Sequence, residues 1–193
     1  MADRDRQDNP GNVRCRRRDF LKLSAAAGVA MGVQGLAWPA SLADAAVGPK
    51  NRPEYAEARF LKSMNCSQAV LETYAPSLGM SVETARRIAA PFAGGMGLGS
   101  ECGAVTGAFL VIGMKYGKTR DNDPQADKET FSRVAGFVKE FKAKHGHIGC
   151  SALLGVDMGT PEGIKEAEKK GLFTKVCPQY VRSAVEILDK VLA

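Results

Sequence analysis

The sequence predicts an all-α protein, a single compact helical bundle that follows a cleaved signal peptide. Two observations support this fold class. Apolar residues recur at helical spacing in one segment after another, and no segment alternates apolar and polar residues as a half-buried strand would. Residues 46–193, about 148 residues, would remain after removal of the signal, which is enough for one ordinary domain with its own core.

The first 45 residues have the pattern of a twin-arginine export signal. Residues 17–22, RRDFLK, fit the R-R-x-F-L-K pattern, an apolar run rich in Ala and Gly follows, and Ala43-Asp44-Ala45 offers an A-x-A cleavage site. This run is shorter and less apolar than a membrane-spanning helix, which needs about 20 apolar residues. We therefore expect export by the twin-arginine translocase, a periplasmic location, and loss of Cys15 with the signal. A permanent N-terminal anchor is the alternative.

Charge excludes one class of partner. Residues 46–193 contain 20 Lys and Arg against 16 Asp and Glu, a formal charge of +4, and the two signs alternate along the chain. Aromatic residues are sparse and no basic run stands out. We therefore expect no nucleic-acid partner.

Three helices are predicted before residue 93. Residues 54–64 carry apolar side chains at helical spacing. Asn65 is a candidate N-cap for a helix that begins at residue 66, and Ser81 is a candidate N-cap for one that begins at residue 82.

Five more helical segments are predicted downstream. Residues 102–117 are apolar nearly all round, as a central buried helix would be. A short turn begins at Cys150, a short charged helix opens at Pro161, and a C-terminal helix begins at Pro178. Between residue 117 and Cys150 lies an amphipathic helix whose apolar face is predicted to contain Phe131, Val134, Val138 and Phe141.

The stretch GGMGLGSECGAVTG, residues 94–107, places six glycines around one thiol. Backbone without Cβ atoms can present successive N–H groups to an anion, such as a cluster sulfide or a phosphate. It also allows a close approach of two backbones. Gly103 and Gly107 are four residues apart on the next helix, so another helix could pack tightly against them. The alternative is that these glycines only turn a loop and close a helix contact.

Four cysteines remain after the signal, separated by 35, 47 and 26 residues: Cys66, Cys102, Cys150 and Cys177. There is no C-x-x-C pair, which excludes a thioredoxin motif and covalent haem attachment. Each cysteine is predicted at or beside a helix N-terminus, where free N–H groups and the helix dipole favour thiolate. If the four helix ends converge, they form an anionic thiolate cluster.

These motifs resemble the C_GCAxxG_C_C family of bacterial and archaeal redox-active proteins. The resemblance covers about residues 54–192 and lies in NCSQAV, ECGAVTGAFLVIGMKYG, GCSALLG and CPQYV. It implies four characteristic cysteines, a redox role, and frequent placement beside transporter genes. A related domain accompanies an iron–sulfur centre in some multihaem cytochromes, which favours a cluster. The expected partner is a membrane transporter or an exported oxidoreductase.

Three hypotheses for the cysteines stay open. In the first, Cys66, Cys102, Cys150 and Cys177 ligate an iron–sulfur cluster or another thiophilic metal beside Gly103. In the second, Cys102 is the attacking thiolate of thiol–disulfide exchange and another cysteine resolves the mixed disulfide. In the third, disulfides staple a helical accessory module of a transporter. We expect an electron carrier or an accessory redox protein rather than a stand-alone enzyme.

Two histidines lie close to the third cysteine. His145 and His147 could supply imidazole ligands beside Cys150. The alternative is a solvated helix end, where a histidine is favoured by the helix dipole.

Overall fold

A computed structural model describes residues 48–193, in which helices are joined by loops and turns without any strand. The all-α prediction is therefore confirmed for this part of the chain. The predicted signal peptide of residues 1–45, its cleavage site and Cys15 lie outside the described residues. Among the described residues, no helix has both the length and the apolar character needed to cross a membrane.

The helices follow one another with short connections. In chain order they are α1 (Arg52–Ser63), α2 (Cys66–Tyr74), α3 (Val82–Ala89), α4 (Gly103–Tyr116), α5 (Pro124–His145), α6 (Cys150–Leu154), α7 (Pro161–Lys169), α8 (Leu172–Lys175) and α9 (Cys177–Val191). Both predicted N-caps are confirmed, since the Asn65 side chain accepts from the Gln68 N–H and the Ser81 side chain from the Thr84 N–H.

Helix α4 lies at the centre of the bundle, in contact with α2, α5 and α9. As the sequence predicted, glycine permits the closest of these packings. A Cβ added to Gly107 would lie 3.0 Å from the carbonyl oxygen of Ser67, which is tighter than ordinary van der Waals contact. This close contact fixes α2, and with it Cys66 at the start of α2, against the first turns of α4.

The apolar face predicted for α5 is wrong in one position. Phe131 is 69% exposed, whereas Phe137 and Phe141 are fully buried. A helix turns about 100° per residue, so Phe131 lies at the edge of the stripe that Phe137 and Phe141 define. The last helix also begins one residue earlier than predicted, at Cys177.

A buried carboxylate joins the first three helices. Glu72 of α2 has a side chain that is only 1% exposed, and it forms ion pairs with Arg59 of α1 and with Arg86 of α3, the latter at 2.6 Å. Both guanidinium groups are needed to compensate a charge held away from water. The network therefore sets the position of α2, which carries Cys66.

Candidate functional site

All four cysteines of the predicted site line one cavity of about 330 Å³. Cys66, Cys102 and Cys150 are buried, Cys177 is partly exposed, and each of the four has a free thiol. Apolar side chains supply most of the remaining wall, among them Phe60, Met64, Leu154, Met158 and Phe173. The structure thus brings together thiols that the sequence separates by dozens of residues.

The helix positions predicted for the cysteines are confirmed. Cys66, Cys150 and Cys177 are the first residues of α2, α6 and α9, and Cys102 is the N-cap of α4. Free backbone N–H groups and the positive ends of helix dipoles lie at such positions. The longer helices α2, α4 and α9 therefore direct their positive ends toward the same cavity.

An antiparallel backbone bridge between Glu101 and Gly149 holds two of the cysteines together. The Cys102 N–H donates to the carbonyl oxygen of Ile148 at 2.8 Å, and the Cys150 N–H donates to that of Ser100 at 2.6 Å. The glycine-rich stretch and the start of α6 are thus paired directly. The alternation that marks longer strands is absent from so short a pairing, and sequence reasoning missed it.

Cys66 and Cys102 form a hydrogen-bonded thiol pair. The hydrogen bond from Cys102 lowers the pKa of Cys66 to about 7 against the opposing effect of burial, and the backbone N–H of Gly94 assists. The same hydrogen bond, followed by burial, raises the pKa of Cys102 well above its usual value. Within this pair the pKa directions favour thiolate on Cys66, whereas the sequence-based candidate for the attacking thiolate is Cys102.

The two remaining thiols stay protonated over a wide pH range. Burial first, and then the charge of Cys66, raises the pKa of Cys150 to about 11 and that of Cys177 to about 12. The expectation that a helix start lowers the pKa of every cysteine is therefore wrong for three of the four. Loss of hydration is the largest cause of the raised pKa at Cys150 and Cys177, and the hydrogen bond with Cys66 is the largest cause at Cys102.

The glycines of residues 94–103 serve the thiol pair. A Cβ added to Gly103 would overlap the Cys66 sulfur and lie 3.0 Å from the carbonyl oxygen of Phe92. In the preceding loop, Gly94, Gly95, Met96 and Gly97 all have positive φ angles, between 61° and 69°. This left-handed turn brings the Gly94 N–H to the Cys66 sulfur. The anion-binding role of the loop as a whole stays a prediction.

Tyr180 is a wall residue that sequence reasoning missed. It lines the cavity one helical turn after Cys177, and its hydroxyl donates to the carbonyl oxygen of Leu153 at 2.8 Å. Its spacing of three residues from Cys177 was the available signal, since residues three apart share a helix face.

The two histidines do not line the cavity. The ring of His145 packs 4.7 Å from that of Phe141 and 5.0 Å from that of Tyr180. Burial lowers the pKa of His145, and its Nε2 is buried without a hydrogen-bond partner among residues 48–193. His147 is exposed to solvent. The proposed imidazole ligation thus gains no support from their positions.

The thiols fit one kind of metal centre better than another. Within residues 48–193, no group of three or more His, Cys, Asp or Glu side chains is arranged to hold one metal ion. The thiols are therefore not arranged around a single-ion centre, which needs four ligands at bonding distance. They are four in number and line one cavity, and [2Fe–2S] and [4Fe–4S] clusters take four cysteine thiolates.

Comparison with protein families places the chain. Residues 64–191, about two thirds of the chain, match the family model described as "Putative redox-active protein (C_GCAxxG_C_C)". The chain belongs to this family. The matched region contains all four cavity cysteines, so the redox role suggested by the family falls on the same residues that meet in space. No curated protein and no solved structure matches the chain.

Proposed function

We propose that this C_GCAxxG_C_C protein transfers electrons through a single iron–sulfur cluster bound by Cys66, Cys102, Cys150 and Cys177. The observation that carries the proposal is the shared cavity, which all four thiols line and whose remaining wall is mostly apolar. When bound, such a cluster supplies one-electron redox chemistry at potentials that its surroundings tune.

The chain's own residues would prepare this site in two ways. Helix N-termini and the N–H of Gly94 stabilise negative charge on sulfur, and the mostly apolar wall limits its contact with water. Because raised pKa values keep Cys102, Cys150 and Cys177 protonated, those thiols must release protons when they become ligands. Loading is therefore expected to be favoured by higher pH.

We also infer the setting in which the protein acts. The R-R-x-F-L-K pattern at residues 17–22 supports export by the twin-arginine translocase to the periplasm. That route carries folded proteins, so a cluster could be inserted before export. The proposed electron partner is an exported oxidoreductase or a membrane transporter system.

The test is metal and sulfide analysis of the full chain purified without oxygen, together with its visible spectrum. We expect iron and sulfide in comparable amounts and absorption from thiolate-to-iron charge transfer. Serine substitution of any one of the four cavity cysteines should reduce the bound iron, whereas the matched variant Cys15→Ser should retain it. A colourless protein without iron, or one that carries only zinc, would contradict the cluster.

A second candidate function is thiol–disulfide exchange by Cys66 and Cys102. It is favoured by the hydrogen bond between these thiols and by the lowered pKa of Cys66, which makes that sulfur the nucleophile. Cys66 would attack a disulfide and release one thiol, and Cys102 would then attack the mixed disulfide and release the second. The substrate disulfide is thereby reduced by two electrons as the Cys66–Cys102 disulfide forms.

The two candidates separate in one measurement. Metal-free protein is equilibrated with mixtures of oxidised and reduced dithiothreitol, and its disulfides are mapped by mass spectrometry. A reversible Cys66–Cys102 disulfide in a protein that never binds iron would support exchange. Thiols that remain unchanged throughout would exclude it.

A further inference from the structure

The cavity lies between the bundle and a segment with a core of its own. We call residues 151–176 the lid; they comprise the rest of α6 together with α7 and α8. Val156, Met158 and Ala167 form a small buried cluster with Cys150, separate from the main core, and Leu172 and Phe173 pack against it. The lid can therefore keep its internal packing while its contact with the bundle changes.

Few polar contacts fasten the lid to the bundle. Within residues 48–193, two side-chain hydrogen bonds join the lid and the bundle. One is local, from Gln179 to the carbonyl oxygen of Lys175 at the junction. The other runs from the Tyr180 hydroxyl to the carbonyl oxygen of Leu153. Within residues 48–193, the one ion pair that involves the lid, Lys170–Glu166, joins two lid residues to each other. Leu153 also packs against the bundle core. Tyr180 and Leu153 thus form a latch at one edge of the lid.

Two of the cavity cysteines flank the lid. Cys150 directly precedes it and is tied to the bundle through Ser100, and Cys177 directly follows it as the first residue of α9. Cys66 and Cys102 belong to the bundle itself. Lid residues Leu154, Met158, Ile164 and Phe173 face the bundle residues Phe60 and Met64 across the cavity.

We propose that residues 151–176 open as a unit from the bundle, hinged at Cys150 and Cys177, and that a ligand bridging the four thiols holds them closed. A segment with few polar ties to the rest of a protein opens at a lower free energy than the core, although this lid also packs against the glycine loop at Gly99. A ligand that joins both flanking cysteines to Cys66 and Cys102 would restrain both hinges at once. The second half of the proposal, closure by the ligand, rests on the proposed cluster.

The test is hydrogen exchange followed by mass spectrometry on the full chain, with thiols reduced and metal removed. Amides of the lid that are hydrogen-bonded within α7 should exchange together and faster than those of α2, α4 and α9. If the lid amides exchange as slowly as those of the central helix α4, the proposal that the lid opens as a unit is wrong. After anaerobic reconstitution with ferrous iron and sulfide, lid exchange should slow.

Outcomes of the reconstitution distinguish the two proposals. If iron and sulfide bind but lid exchange is unchanged, closure by the ligand is wrong although the cluster stands. If no cluster forms while the lid of the metal-free protein still opens as a unit, the proposed function and ligand closure fail together and the hinged lid stands.

A pair of tyrosine variants tests the latch. Tyr180→Phe removes the hydrogen bond to Leu153, so lid exchange should rise by roughly two- to tenfold while bundle exchange stays the same. Tyr116→Phe is the matched control, since its hydroxyl contacts Leu192 at 3.5 Å within the bundle. If lid exchange is the same in Tyr180→Phe as in the wild type, the Tyr180–Leu153 hydrogen bond does not hold the lid closed.

Discussion

The Cys66 sulfur lies against the backbone of Gly103, in the space that a Cβ would occupy. Gly103 directly follows Cys102, so the same close approach brings the Cys102 thiol within hydrogen-bond reach of Cys66. The low pKa of Cys66 therefore depends on residue 103 being a glycine, which has no side chain. This relationship links the glycine-rich stretch to the chemistry of the thiol pair.

Substitution of Gly103 by alanine should disturb the site from within. The added methyl group must displace the Cys66 sulfur or separate α2 from α4, and such overpacking costs about 1–3 kcal/mol of unfolding free energy. We expect lower stability in urea unfolding and lower iron content after anaerobic purification.

Gly113→Ala is the matched control for that variant. Gly113 lies in the same helix, and a Cβ there would meet no atom within 4 Å. Replacing a mid-helix glycine should raise stability by about 0.5–1 kcal/mol and leave iron binding unchanged. Equal behaviour of the two variants would argue against the close Gly103–Cys66 contact.

The pH dependence of alkylation should identify the ionised thiol. Because thiolate is the reactive form and the pKa of Cys66 is about 7, Cys66 of the metal-free protein should reach half its maximal rate with iodoacetamide near pH 7. Cys150 and Cys177, with pKa values of about 11 and about 12, should react only at far higher pH. Peptide mass spectrometry gives the rate at each cysteine.

Substitution at Cys102 should then show how much of the lowered pKa of Cys66 is due to the hydrogen bond from Cys102. Cys102→Ala removes the donor, which is the largest influence on Cys66, so the midpoint for Cys66 should move to higher pH. Cys102→Ser keeps an O–H donor and should move it less. A midpoint that is the same in the wild type and in Cys102→Ala would contradict the thiol pair.

The buried Glu72 network should dominate the electrostatic contribution to stability. Changing both Arg59 and Arg86 to Met leaves an unpaired buried carboxylate, with an expected loss of about 3–5 kcal/mol in unfolding free energy. Adding Glu72→Gln should restore part of that loss, because the buried charge is removed.

Arg87→Met is the control, since it breaks only an exposed ion pair with Glu83 and should change the unfolding free energy by less than about 1 kcal/mol. Equal losses in the two arginine experiments would contradict a special role for Glu72.

Local sequence signals were sufficient for the helices and for the positions of the cysteines within them. Asn65 and Ser81 act as caps through hydrogen bonds to residues three positions away, and the apolar character of α4 on nearly every face is visible in the residues of α4 alone. Such signals survive because both partners lie within one helical turn. Phe131 shows their limit, because an apolar residue at the edge of a stripe becomes buried only if a neighbouring helix covers it.

The sequence by itself determined an all-α domain with cysteines at helix starts, since caps and periodicity are local. Tertiary structure decided that the four thiols share one cavity, that the pKa of Cys66 is lowered while that of Cys102 is raised, and that Tyr180 lines the same cavity. The physical reason is that a thiol's pKa reflects its hydration and its hydrogen-bond partner. Both depend on groups that the chain separates by dozens of residues and that only helix packing brings together.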